Sequence, residues 1–255
     1  MPFVKVPARP FLLTRRTALL GSLLAPFSAR AFGDSSRFVP AVVQHAGRWD
    51  VRNSGLRRLA WEVQRRTSVE TALDVRGFAL TNPKIFEFPF LYLTCEGELP
   101  PFTDAEVESL RRYLTFGGFL FAEPSDAIDG SASDVSMRRE LARVLPQNGL
   151  KALPSTHVVF KSFYLIEGAP GRMLTRATVD AVMLNKRAAV LYSNNDIMGA
   201  LAKDDAGVWE YECSPGGESQ RERAIRSALN IVLYALCLDY KDDAVHLPFI
   251  MNRRR

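Results

Sequence analysis

Apolar positions along the chain follow two patterns, short unbroken runs and longer stretches with helical spacing. Phe38 to Gln44 (FVPAVVQ) is such a run and predicts a first strand that ends at His45-Ala46-Gly47. Asn53-Ser54 then offers a cap to an amphipathic helix over residues 56–63. Val69 to Val75 predicts a second strand, and Phe88 to Leu93 (FPFLYL) a buried one ending in Thr94-Cys95-Glu96-Gly97. Thr103-Asp104-Ala105-Glu106 has capping-box spacing, in which the Thr hydroxyl bonds the amide three residues on and the Glu reaches back. Val107, Leu110 and Leu114 continue this helix on its inner face, and Gly117-Gly118 ends it. Phe119-Leu120-Phe121-Ala122 follows at once as a strand. Strand, helix and strand joined by short connections imply a parallel crossover.

Further along, Met137 to Leu145 predicts a short helix stopped by Pro146, and His157 to Ile166 alternates like a strand or hairpin arm. Ala188 to Tyr192 is another buried strand, ending in Ser193-Asn194-Asn195-Asp196. Ser219 to Tyr240 reads as a long helix with Ala224, Ile225, Ala228, Leu229, Val232, Leu233 and Leu236 at helical spacing. The loop from Glu123 to Val135 is long and polar, which favours function or mobility. No repeat, low-complexity tract or interdomain linker interrupts the pattern. The alternation predicts an α/β fold of three layers around a doubly wound, mostly parallel sheet.

The first 31 residues break this pattern and read as an address. Thr14-Arg15-Arg16-Thr17 precedes an apolar run from Ala18 to Phe27, and Ala29-Arg30-Ala31 has the small-x-small form that signal peptidase cuts. The run is shorter than the roughly 20 residues that a membrane-spanning helix needs. The arginine pair resembles a bacterial twin-arginine export signal. The expected organisation is a signal peptide over residues 1–31 and a single α/β domain over residues 32–255. That domain would be periplasmic or envelope-associated and without a transmembrane span. A leader kept as an anchor is the alternative.

The leader changes the meaning of the charge. The chain has 33 Lys+Arg and 28 Asp+Glu, a net of +5. Lys5, Arg9, Arg15, Arg16 and Arg30 all lie in the leader, which has no acid, so the rest of the chain is balanced. No basic footprint for nucleic acid remains, and the Arg253-Arg254-Arg255 tail reads as a solvated end. A hydrophobic fraction of 47% suits a globular core. Three cysteines, Cys95, Cys213 and Cys237, form no disulfide framework and leave at least one unpaired. There is no CxxC, and the three His are scattered, so neither a zinc site nor another cofactor is expected.

Several stretches together resemble the family called domain of unknown function 4159. They are Phe88-Pro89-Phe90-Leu91-Tyr92, Leu110-Arg111-Arg112-Tyr113-Leu114 with Gly117-Gly118-Phe119-Leu120, and Ser193-Asn194-Asn195-Asp196. The ending adds Asn230 to Leu236, Asp239-Tyr240-Lys241-Asp242-Asp243 and His246-Leu247-Pro248-Phe249-Ile250, so the likeness runs from about Phe38 to the C-terminus. The middle segment is also similar to the class I glutamine-amidotransferase-like superfamily, whose fold is a flavodoxin-like α/β sandwich. The resemblance implies a fold and no settled activity, since fold does not carry function. An active amidotransferase relative would need a Cys nucleophile on a tight strand-to-helix turn, backed by a His. Here the strand Phe119 to Ala122 leads into Glu123-Pro124-Ser125-Asp126, and no glycine-flanked elbow surrounds Cys95. The resemblance therefore implies no amidotransferase chemistry.

In an open parallel sheet, ligands bind beyond the carboxyl ends of the strands, where helix N-termini favour anions. Those ends carry His45, Cys95, Glu96, Glu123, Asp126, Asn194, Asn195 and Asp196, the candidate ligand-binding set. Glu123 and Asp126 form a possible acid–base pair, because neighbouring carboxylates push each other's pKa values apart. The alternative has Asp126 capping a turn and Glu123 solvated. Asp126, Asp129 and Asp134 offer oxygen ligands, but their spacing matches no calcium loop. Ser193-Asn194-Asn195-Asp196 fits either a ligand site or an Asx turn that organises the next loop. Cys95 reads as a small buried hydrophobe and His157 as a structural histidine. Trp209 beside Glu210 could stack on a sugar or cover a core edge. Two functions follow. One is a non-catalytic envelope module that binds a protein partner or small ligand. The other is a hydrolase of an envelope carbohydrate or ester, with Asp126, Asp196 and Glu123 as the candidate catalytic carboxylates.

Overall fold

In the computed structural model, which describes residues 37–237, the short apolar runs become the strands of one sheet. In chain order these are β1 (Ala41–Gln44), β2 (Arg76–Ala79), β3 (Phe90–Leu93), β4 (Phe119–Ala122), β5 (Lys151–Ala152), β6 (Asp180–Leu184) and β7 (Arg187–Tyr192). Their spatial order is β2-β1-β3-β4-β7-β6-β5. The pairings from β2 to β7 are parallel, and β6 and β5 extend the sheet antiparallel at one edge. Among the described residues five α-helices cover it: α1 (Asn53–Arg66), α2 (Asp104–Thr115), α3 (Ala132–Val144), α4 (Ile197–Leu201) and α5 (Gly217–Leu236).

Strand alternation divides the core in two. Val42, Phe90, Tyr92 and Phe121 face α1, α4 and α5 and pack with Leu56, Leu59, Ile197 and Leu229. Ala41, Val43, Leu91, Leu93 and Leu120 face α2 and α3 and pack with Leu110, Leu114, Met137 and Leu141. The result is the expected three-layer, doubly wound α/β architecture, flavodoxin-like in its layering and in the β2-β1-β3-β4 order. Helix α2 carries the full capping box, with Thr103 Oγ1 accepting from the Glu106 amide and Glu106 Oε2 from the Thr103 amide. Among the described residues no helix is long and apolar enough to cross a membrane.

Three elements differ from the sequence reading. β2 forms at Arg76–Ala79 rather than over Val69 to Val75, where only a single bridge, Phe38↔Thr71, is made. As a half-exposed edge strand, β2 needs no continuous apolar run. The stretch from His157 to Ile166 contains a 3-10 turn, Val158–Lys161, instead of a strand. His157 Nδ1 accepts from the Val159 amide to start it, and Asn230 of α5 holds the amides of Phe163 and Tyr164. Helix α3 starts earlier than expected because Ser131 caps it, so the polar loop after β4 is shorter. Helix α5 is described to Leu236; its expected extension to Tyr240 lies partly outside the described residues. The expected leader also lies outside them.

Candidate functional site

The carboxyl ends of β1, β3, β4 and β7 lie side by side, and the residues just beyond them build a buried polar layer. Its hub is Asp196, which is 0% exposed. Asp196 sits in the left-handed region at φ 52° as the N-cap of α4, with Oδ1 accepting from the Gly199 amide at 3.0 Å. Gly199 is required there, since a Cβ would collide with the Asp196 carboxylate. Arg52, at the N-cap of α1, meets this carboxylate in a two-point fork: Nε donates to Oδ1 and Nη2 to Oδ2, both at 2.8 Å. Arg172 Nε donates to Oδ2 at 2.7 Å. Arg52 also donates to the Ser125 carbonyl at 2.7 Å and to Tyr211 Oη at 3.0 Å, with its guanidinium 4.6 Å from the Tyr211 ring centre. Burial works against the Arg52 charge, but the Asp196 carboxylate outweighs it and holds the pKa above the usual arginine value.

Glu123 follows β4 and is fully buried, not solvated. Oε1 accepts from Tyr92 Oη at 3.0 Å and from the Met198 amide at 2.8 Å, and Oε2 accepts from the Ile197 amide at 2.7 Å. Glu123 and Asp196 thus share the orphan amides of the first turn of α4. Burial, and then the Asp196 charge, push the Glu123 carboxyl up to about 8.

A second cluster lies beyond β7 and β6. Asp134 of α3 accepts from Tyr192 Oη at 2.7 Å, Arg138 Nε at 2.7 Å and the Gly130 amide at 2.8 Å. Burial raises the Asp134 carboxyl, but these bonds outweigh it and hold it below the usual range. Arg138 and Arg176 both reach Asp180, at 2.9 and 3.2 Å. Asn194 donates to Asp129 at 2.9 Å. Asn195 staples the neighbouring loop, donating to the carbonyls of Ala169 and Arg176 and accepting from the Arg176 amide.

The other candidates lie apart from the hub. His45 bridges the ends of β1 and β3: Nε2 lies 2.8 Å from the Thr94 carbonyl, and Nδ1 accepts from the Gly47 amide at 3.1 Å. That pair of contacts fixes the neutral tautomer with the proton on Nε2, and burial lowers its pKa in the same sense. Cys95 is buried with its thiol directed at the Gly97 carbonyl, and burial pushes it up to about 12. Glu96 is exposed and pairs with Arg48. Asp126 accepts from Ser133 Oγ at 2.6 Å and the Ile128 amide at 3.2 Å, the contacts of a turn. Trp209 is flanked by Lys203 at 4.0 Å and Arg221 at 4.2 Å, so these cations occupy the ring that a sugar would stack on.

Sequence reasoning missed Arg52, Arg172 and Tyr211. No local signal pointed to them: the sequence offered Asn53-Ser54 as the cap of α1, whereas Arg52 is the N-cap, with no side-chain cap bond and no acid in the first turn, and its counter-charge comes from Asp196. Among the described residues no group of three or more His, Cys, Asp or Glu is placed to hold a metal ion. A cavity of about 200 Å³ lies away from the hub, between α3 and β6, lined by Leu141, Ala142, Leu150 and Val182 with Arg138 and Asn148.

These features define a three-layer α/β domain whose strand ends are closed by a buried arginine–carboxylate network. The chain belongs to the family described as Domain of unknown function (DUF4159), whose model matches residues 40–236. No curated protein matches it.

Proposed function

We propose that the protein is an exported, envelope-associated module that binds a protein partner and does not turn over a substrate. On this reading residues 1–31 are the export leader, and the domain is a non-catalytic member of the glutamine-amidotransferase-like superfamily. The observation that carries it is the state of Asp196. Both of its oxygens accept bonds from arginines, Oδ1 also caps α4, and the side chain has no exposed surface. A carboxylate held this way braces a scaffold and has no lone pair directed at a ligand. The braced layer instead fixes the two loops above it, 124–131 and 170–176, whose exposed Ile128, Leu174 and Asp129 and half-buried Arg172 offer a mixed apolar and charged contact surface. Protein interfaces combine such anchors with a polar rim.

The hydrolase reading retains one support, since Asp126 is partly exposed in the loop that follows β4. Cross-linking of the tagged protein in intact envelopes, read by mass spectrometry, separates the two. The module reading expects a stoichiometric partner that Asp126→Asn retains and that the rim pair Ile128→Ser with Leu174→Ser loses. Loss of function in Asp126→Asn, with fold and partner intact, would favour the hydrolase.

A further inference from the structure

At the opposite pole, where the parallel strands begin, the surface is apolar and cationic. Helix α2 ends there at Phe116, which is 71% exposed. Phe86, from the 3-10 turn Pro83–Glu87, is 42% exposed and meets Tyr113 edge-on at 6.2 Å between ring centres. Arg112 stands between the two phenylalanines, its guanidinium 5.9 Å from one ring centre and 6.0 Å from the other. It is exposed and makes no ion pair among the described residues. Lys84 and Glu87 are exposed in the same turn as Phe86, and Lys186 is exposed in the β6–β7 turn. The β6–β7 turn that carries Lys186 is tied to the α2–β4 connection through Arg187, which donates to the carbonyls of Gly118 and Leu114.

The protrusion of Phe116 is built in. Gly117 at φ 112° reverses the chain, and a Cβ at Gly118 would collide with the Tyr113 ring. Tyr113 Oη in turn reaches the carbonyls of Phe88 and Phe119, at 2.9 and 3.2 Å. The chain also enters the domain at this pole: Arg37 and Phe38 lead into β1, two strands from β4. The sequence before them carries Arg15, Arg16 and the apolar run from Ala18 to Phe27.

We propose that this pole docks on an anionic lipid surface. Phe116 and Phe86 enter the headgroup layer, and Lys84, Arg112 and Lys186 meet its phosphates. Aromatic rings with apolar faces favour that boundary, and cations near it are attracted by anionic lipid. The placement rests on the envelope reading above for its setting, and it turns the strand-end loops away from the membrane, toward a partner.

The test is co-sedimentation of the full-length protein with vesicles of phosphatidylglycerol and phosphatidylcholine, against phosphatidylcholine alone. The expected result is a preference for the anionic vesicles that falls as salt rises. Arg112→Gln should weaken it by about fivefold and Phe116→Ser by about tenfold. Phe116 is exposed, so its variant should melt as the wild type does. Every variant keeps the leader, so differences among them report on the pole. Equal vesicle binding by wild type and both variants would overturn the proposal. A wild-type dimer that Phe116→Ser dissolves, with no lipid preference, would overturn it too and assign the patch to a second copy of the chain. Vesicle binding is read without export, so the failure of one reading leaves the other measurable.

Discussion

Asp196 shows how a single residue can look like a catalyst in the sequence and act as a brace in the fold. Its place after an apolar strand made it a candidate, and the sequence held no sign of the two arginines that reach it from positions 52 and 172. Such partners are contributed by distant loops, which local pattern does not reveal. The Asp126 turn was legible because its partners, Ile128 and Ser133, lie within seven positions. Asp196→Asn should leave the buried Arg52 and the half-buried Arg172 beside a neutral amide and cost about 3–5 kcal/mol. Urea unfolding would read this as a lower midpoint at unchanged slope. Glu123 makes a prediction of opposite sense to an ordinary paired acid. Its folded pKa, about 8, lies above the 4.5 of a glutamate in the unfolded chain, so the native state holds the extra proton between these values. Its contribution to stability is complete below about pH 4.5 and is lost as pH rises through about 8. The melting temperature of the wild type should therefore carry a downward slope over that window that Glu123→Gln lacks. Identical pH profiles would show that the carboxyl is ionised throughout.

Elements were most legible where local chemistry and tertiary demand agree. Helix α2 has its capping box, inner apolar face and glycine stop in one contiguous stretch, and it forms where read. Helix α4 was invisible: five residues, Ile197–Leu201, are too few to show a period, and the helix exists because Asp196 and Glu123 hold its first amides. β6 was equally hidden, since it opens on Asp180, an acid that becomes buried only because Arg138 of α3 and Arg176 reach it in the fold. Helix α1 depends on α4 through one close approach, where a Cβ on Gly55 would collide with the Met198 carbonyl oxygen. Gly55→Ala ordinarily favours a helix. Here it should destabilise by about 1–3 kcal/mol, because it separates two packed helices. A raised thermal midpoint in that variant would show that α1 and α4 have room to part.

For the whole molecule, the alternation of runs and helical stretches sufficed to read the three layers, while the site had to be assembled by the fold. The leader remains a proposal with its own test: Arg15→Lys with Arg16→Lys should hold an unprocessed precursor inside the cell, seen by fractionation and immunoblotting. Normal processing of that pair would refute twin-arginine routing. The sheet order bears on why such a route would suit this chain. Residues 120–122 of β4 pair with β3 on one side, but on the other they find their parallel neighbours only at residues 190–192 of β7, after α3, β5 and β6 have been made. Contacts so distant in sequence close late, and chains that depend on them fold slowly. A chain threaded unfolded would reach the far side with one edge of its central strand unpaired and open to aggregation. Passage as finished cargo lets the pairing be completed at leisure, before the membrane is met.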